Sequence, residues 1–135
     1  RELARGLHPA VLTEGGLRPA LETLAARSTV PVRLVSTPDQ RFAAAVEATA
    51  YFTVAEALTN AARYAEPQRI EVEVRSADGV LAVQVRDDGK GGADPDAGSG
   101  LRGLADRLAA LDGRLEVVSP AGAGTTLRAE IPCAS

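Results

Sequence analysis

Two polar side chains stand four residues apart in the stretch EALTNAARYA, residues 56–65: Glu56 and Asn60. The stretch is rich in helix formers, and helical positions i and i+4 lie one above the other on the same face. If that face lines a pocket, a carboxylate and an amide meet where chemistry can occur. If it faces water, the pair is the polar side of a surface helix. Arg63 lies about one turn further on, within reach of the same face. Asp87 closes an alternating stretch, VLAVQVRD, and a carboxylate at a strand end can accept a hydrogen bond from an exocyclic amine. Glycine clusters flank the loop that follows. Asp87-Asp88-Gly89-Lys90-Gly91-Gly92 opens it, and Gly98-Ser99-Gly100-Leu101 closes it just before a helical pattern. Glycine lets a backbone come close to a ligand, and a helix N-terminus favours an anion. Residues 100–103 therefore offer a phosphate cradle, although Asp/Gly loops also serve as ordinary connections.

The elements that must position these groups follow from periodicity. Residues 2–7 have the character of a helix end stopped by Pro9, and Gly15-Gly16 makes a break. Residues 17–26 predict a short helix with Leu17, Leu21 and Leu24 on one side and Pro19 in its first turn. The alternating VPVRLVS, 30–36, predicts a strand. Thr37-Pro38 is a helix-start signal, and the Ala-rich run free of Gly and Pro from Arg41 to Ala65 predicts one long helix closed by Glu66-Pro67. Residues 69–76 and 80–87 alternate around Asp78-Gly79, a hairpin signal. Leu101, Leu104, Leu108 and Leu111 form a helical stripe ending at Gly113. RLEVVS, PAGAG and TTLRAEIP then read as strand, turn and strand. This order predicts one domain: a mixed, mainly antiparallel sheet with helices layered on one face, an α/β sandwich.

Composition narrows the function class. A chain of 135 residues can bury a sizeable core without disulfides, and Cys133 is its only cysteine, compatible with a reducing, cytoplasmic compartment. A net charge of −3 speaks against nucleic acid as a partner, yet a few backbone N–H groups suffice for a nucleotide pocket. No apolar run of membrane-spanning length is present. The chain contains no methionine and opens on the helical RELARGL, which implies a piece of a longer protein.

The ordered set EALTNAARYA, DDGKGG, GSGL and GAGTT resembles the nucleotide-binding domain of bacterial sensor histidine kinases, within the superfamily shared with Hsp90, gyrase and MutL. The wording from Gly100 to Pro132 is closest to the subfamily that pairs with helix-turn-helix response regulators. The resemblance implies a Bergerat-type ATPase fold and a Mg²⁺-ATP site. Asn60 would hold Mg²⁺ and Glu56 would act as the base. Asp87 would accept the adenine amine, with Gly89 and Gly91 in the same glycine box. Gly98, Gly100 and Leu101 would belong to the loop that closes over phosphate. Arg63 would stand near phosphate, and Thr125 near adenine. Tyr64 departs from a common histidine. Arg102 would contact phosphate or a partner, and Lys90 would face solvent.

The implied partners are an upstream dimerisation and phosphoacceptor domain, a response regulator and a second copy in the full-length protein. Residues 1–16 would then be the tail of the dimerisation helix and a linker, and 17–135 the ATP-binding domain. His8 sits in ARGLHP, where the subfamily's phosphoacceptor is followed by an acid. Pro9 follows here, so His8 reads as a junction residue. An anti-sigma factor serine kinase-like domain and a degenerate module that binds partners without ATP are the alternatives. A helical N-terminal tail counts against the first, and the retained Glu56, Asn60 and Asp87 against the second.

Overall fold

The computed structural model describes residues 9–92 and 100–133, so His8 and Gly98 lie outside the described residues. The elements run α1 (Ala10–Gly15), α2 (Leu17–Arg27), β1 (Val32–Ser36), α3 (Ala44–Asn60), a π turn (Ala61–Ala65), β2 (Ile70–Ala77), β3 (Val80–Asp87), α4 (Leu101–Ala109), β4 (Arg114–Val118) and β5 (Thr125–Pro132). The five strands form one sheet in the order β1-β2-β3-β5-β4. β1 runs parallel to β2, with α3 as the crossover between them, and the other pairs are antiparallel.

The period-two sequence pattern becomes a two-faced sheet. Val72, Val85 and Leu127 share one register row, and Val74, Val83 and Ala129 the next. All six are buried, together with Ile70, Leu81 and Ile131. The opposite face is largely polar and carries charged pairs across strands. Glu71 faces Arg86 in the ladder and accepts from it at 3.0 Å, and Arg114 likewise meets Glu130 at 2.9 Å. Asp78 and Gly79 both have positive φ, 53° and 75°, as the tight turn of a β2–β3 hairpin requires.

Helices cover the apolar face. α3 buries Val46, Val54 and Leu58 together with the small Thr49, Ala50, Thr53 and Ala57, and Thr53 settles its buried hydroxyl by donating to Thr49 O at 2.8 Å. α4 contributes Leu101, Leu104 and Leu108. Arg107 lies 4.1 Å from the centre of the Phe52 ring, a contact between α4 and α3. Among the described residues no helix is long and apolar enough to cross a membrane.

The structure departs from the sequence reading at three places. Residues 10–15 form a helix where a linker was expected, because Leu12 is buried in the same core as Leu17 and Leu21. The helix expected from Arg41 starts instead at Ala44. Glu47, only 3% exposed, takes hydrogen bonds from Phe42 N–H at 3.0 Å and from Arg41 Nε at 2.9 Å, which holds 41–43 off the helical path. The same guanidinium donates to Thr13 O and Glu14 O at the end of α1. A Cβ on Gly16 would come within 2.7 Å of the Arg41 side chain, and φ at Gly16 is +91°, so glycine is required there. Third, the α-helical ladder ends at Asn60 and the next five residues widen into a π turn, a form frequent at functional sites. Glu66, at φ 50° in the left-handed region, then ends the helix ahead of Pro67.

Arg41→Ala leaves the Glu47 carboxylate buried without its guanidinium. It should lower the melting temperature, and adding Glu47→Leu in the same chain should recover part of the loss. Thermal unfolding of the two variants checks this. A double variant no more stable than Arg41→Ala would remove the ion pair from its role in tying α1 to α3.

Candidate functional site

Glu56 and Asn60 occupy the shoulder of α3, beside the buried stripe of Thr53 and Ala57 that Ala61 continues into the π turn, and both are half-buried. The face they share is therefore neither fully wet nor core. The Asn60 Nδ2 is buried and has no hydrogen-bond partner. A buried donor left so is costly and marks a place where an acceptor from outside would be welcome. The Glu56 carboxylate lies against the start of α4: a Cβ built on Gly100, whose φ is +90°, would fall 2.1 Å from Glu56 Oε2. Only a glycine allows this approach between the two glycine-flanked halves of the region.

Asp87 ends β3 opposite Ile70 on one side and Thr125 on the other. Its carboxylate accepts the Gly89 N–H at 2.8 Å, a local turn that starts the glycine loop, and also a backbone N–H from Thr125. Burial pushes the Asp87 carboxyl above the usual range; the two N–H groups oppose that shift and the neighbouring Asp88 charge adds to it. The loop itself is zipped to the β4–β5 turn. Gly92 N–H donates to Ser119 O at 2.8 Å and Gly122 N–H to Lys90 O. A Cβ on Gly91 would meet Pro120 O at 2.1 Å, and one on Gly124 would meet Asp87 O at 2.4 Å. The hydroxyls of Ser119 and Thr125 are 2.6 Å apart beneath this junction.

The structure thus gathers Asp87, Gly89, Gly91 and Thr125 into one cluster, and brings Gly100 onto Glu56. Arg63 is exposed on the π turn, about one turn beyond Asn60. The Leu101 side chain is buried in the core, so what it offers the region is backbone at the first turn of α4. Sequence reasoning passed over Ser119 and Asp88. Ser119 carries no motif signal, and an aspartate after a strand reads as an ordinary turn residue. Among the described residues no group of three or more His, Cys, Asp or Glu converges as a metal site.

A carboxyl raised by burial weakens the fold above its own titration range, because the ionised form is better solvated in the unfolded chain. Asp87→Asn keeps an acceptor for Gly89 N–H and removes that charge. It should therefore raise the melting temperature at pH 7–8, by an increment that shrinks as pH falls into the carboxyl range. Thermal unfolding across pH measures it, and a variant less stable than the parent at pH 7 would mean that the ionised carboxylate holds the turn together.

Residues 45–135 match the family model described as histidine kinase-, DNA gyrase B-, and HSP90-like ATPase. The sensor histidine kinase MctS of Rhizobium johnstonii is 33% identical over 98% of this chain and 31% of its own length. The oxygen sensor histidine kinase NreB of Staphylococcus carnosus is 34% identical over 69% of this chain and 28% of its own. The chain therefore spans about a third of the curated relatives it matches. In fold it is similar to the blue-light activated histidine kinase of Erythrobacter litoralis, with a TM-score of 0.73 at 22% identity over 86% of this chain and 41% of that one. With the family match covering the helix, both glycine clusters and the last strands, the chain belongs to the histidine kinase-, DNA gyrase B- and HSP90-like ATPases.

Proposed function

We propose that this chain is the ATP-binding catalytic domain of a sensor histidine kinase, which binds Mg²⁺-ATP and donates the γ-phosphoryl to a histidine on a dimerisation domain for relay to a response regulator. The observation that carries the reading is Asp87: a carboxylate held half-buried against its own ionisation preference, in a turn that glycines keep open. Its carboxylate already accepts backbone N–H groups of Gly89 and Thr125, and the amine of a bound base would be a further donor.

The residues fit the nucleotide. Asp87 would accept the adenine N6 amine, with Thr125 and Gly91 beside the base and Gly89 fixing the carboxylate. Asn60 would turn its amide oxygen to Mg²⁺ and its NH₂, now lacking a partner, to a phosphate oxygen. Gly98, Gly100 and the backbone at Leu101 would surround the phosphates, with Arg63 adding positive charge. Bound Mg²⁺ supplies neutralisation of phosphate charge, and catalysis of this class is mainly positioning and electrostatics. Glu56 would take the proton from the attacking imidazole. Residues 1–16 would lead in from the preceding dimerisation helix to the domain formed by 17–135, with α1 packed onto that domain through Leu12. The parent would act as a homodimer, with this domain in the cytoplasm where ATP is supplied.

Adenine offers an amine where guanine offers a carbonyl, so ATP should bind well ahead of GTP. Asp87→Asn should weaken ATP by about 1–3 kcal/mol, the scale of a charge-assisted hydrogen bond. Competition binding is the check, and equal affinity for ATP and GTP would remove Asp87 from this role. In the full-length parent, Glu56→Gln should leave Mg²⁺-ATP binding nearly intact and slow phosphoryl transfer by roughly 10²–10⁴. Lost binding with unchanged transfer per bound ATP would make Glu56 a structural residue.

A further inference from the structure

We propose that Asp88 is a positioning residue for the nucleotide site, the clasp that holds the Asn60 end of α3 in place against the Asp87 loop; the inference rests on the Mg²⁺-ATP reading above. Asp87 and Asp88 are neighbours with opposite duties. Asp87 points into the glycine turn. Asp88 turns the other way, and its Oδ1 accepts two successive backbone N–H groups, Gln68 at 2.8 Å and Arg69 at 3.1 Å. Those N–H groups hold its carboxyl below the usual range, as expected for a carboxylate doing a structural task in the ionised form.

The position of this clasp is what gives it consequence. The β2–β3 ladder already pins Ile70 against Asp87, and Ile70 N–H donates to Pro31 O. Upstream of Ile70, the chain must return to Asn60 through the π turn, left-handed Glu66 and Pro67. Asp88 fixes the two residues at the foot of that return. The path back is short and stiff, since Pro67 has a locked φ and Glu66 occupies a narrow backbone region. A second tie runs from the same loop, Lys90 to Glu66 at 3.7 Å, with both partners exposed. The loop that carries the base-recognising carboxylate thus also sets where the amide of Asn60 stands.

Gln68 and Arg69 are exposed, so water can replace the carboxylate at little cost in stability. What is lost is the fixed spacing between the two halves of the site. This separates a positioning role from a merely structural one. Binding should be measured by calorimetry on this chain with Mg²⁺-ATP, and with ADP in the presence of EDTA, which calls on the Asp87 half. Asp88→Ala should weaken Mg²⁺-ATP about tenfold, or about 1.4 kcal/mol, and metal-free ADP by less than about twofold, with little change in melting temperature. Asp88→Asn, whose amide oxygen still accepts both N–H groups, should regain most of the affinity for Mg²⁺-ATP. In an Asn60→Ala background, Asp88→Ala should have little further effect. Equal losses for the two ligands, an Asp88→Asn as weak as Asp88→Ala, or full additivity with Asn60→Ala would each overturn the proposal alone. A parent chain that fails to bind Mg²⁺-ATP would overturn the underlying reading and this inference with it.

Discussion

One-sided burial of the three central strands is the constraint on which the rest of the chain depends. β2, β3 and β5 present rows of Val, Ile, Leu and Ala to one face and a mixture rich in polar and charged residues to the other. A slip of one residue would drive Glu71 or Arg128 into the core, so register is strongly specified. Fixed register is also what brings Asp87, Ile70 and Thr125 to the same end of the sheet. The helix bearing Glu56 and Asn60 then has one apolar surface on which to bury Val46, Ala50, Val54 and Leu58. The polar pair reaches the site because the apolar residues beside it have been placed.

The elements that repeat a simple period were legible in the sequence. The hairpin, α2, the Leu stripe of α4 and the last two strands lie close to where alternation and helical spacing put them. The ends of α3 were not. Its start depends on a buried carboxylate at position 47 reaching back to Arg41 and Phe42, a tertiary arrangement that no local signal announces. Its last turn changes from α to π just after Asn60, although the local composition is uniformly helix-forming. In the site, glycine clusters were readable as turns and close approaches, and Gly91, Gly100 and Gly124 do mark positions that a Cβ would crowd. Asp88 was not, since its partners are two main-chain groups twenty and nineteen residues away.

Asp87 and Glu47 meet the cost of burial in different ways. Both are carboxylates removed in part from water. Glu47 is compensated by a guanidinium and a backbone N–H, and in return it joins α1 to α3. Asp87 has only backbone donors and a like charge next door. A group so placed is tolerated because the ladder on both sides over-determines its position, the circumstance in which folds retain energetically poor residues.

The zipper between the 88–92 loop and the β4–β5 turn has a thermodynamic consequence for any guest. Loops that order only when a ligand arrives draw on the binding energy to do so. Here the amides of Gly92 and Gly122 are already engaged across the junction, and Gly91 and Gly124 are packed too closely for a side chain. The segment beneath Asp87 therefore has little entropy left to lose. A small flat ring entering beside it would keep nearly all the enthalpy of its contacts, so that modest contact area can still discriminate sharply between rings that differ by one donor.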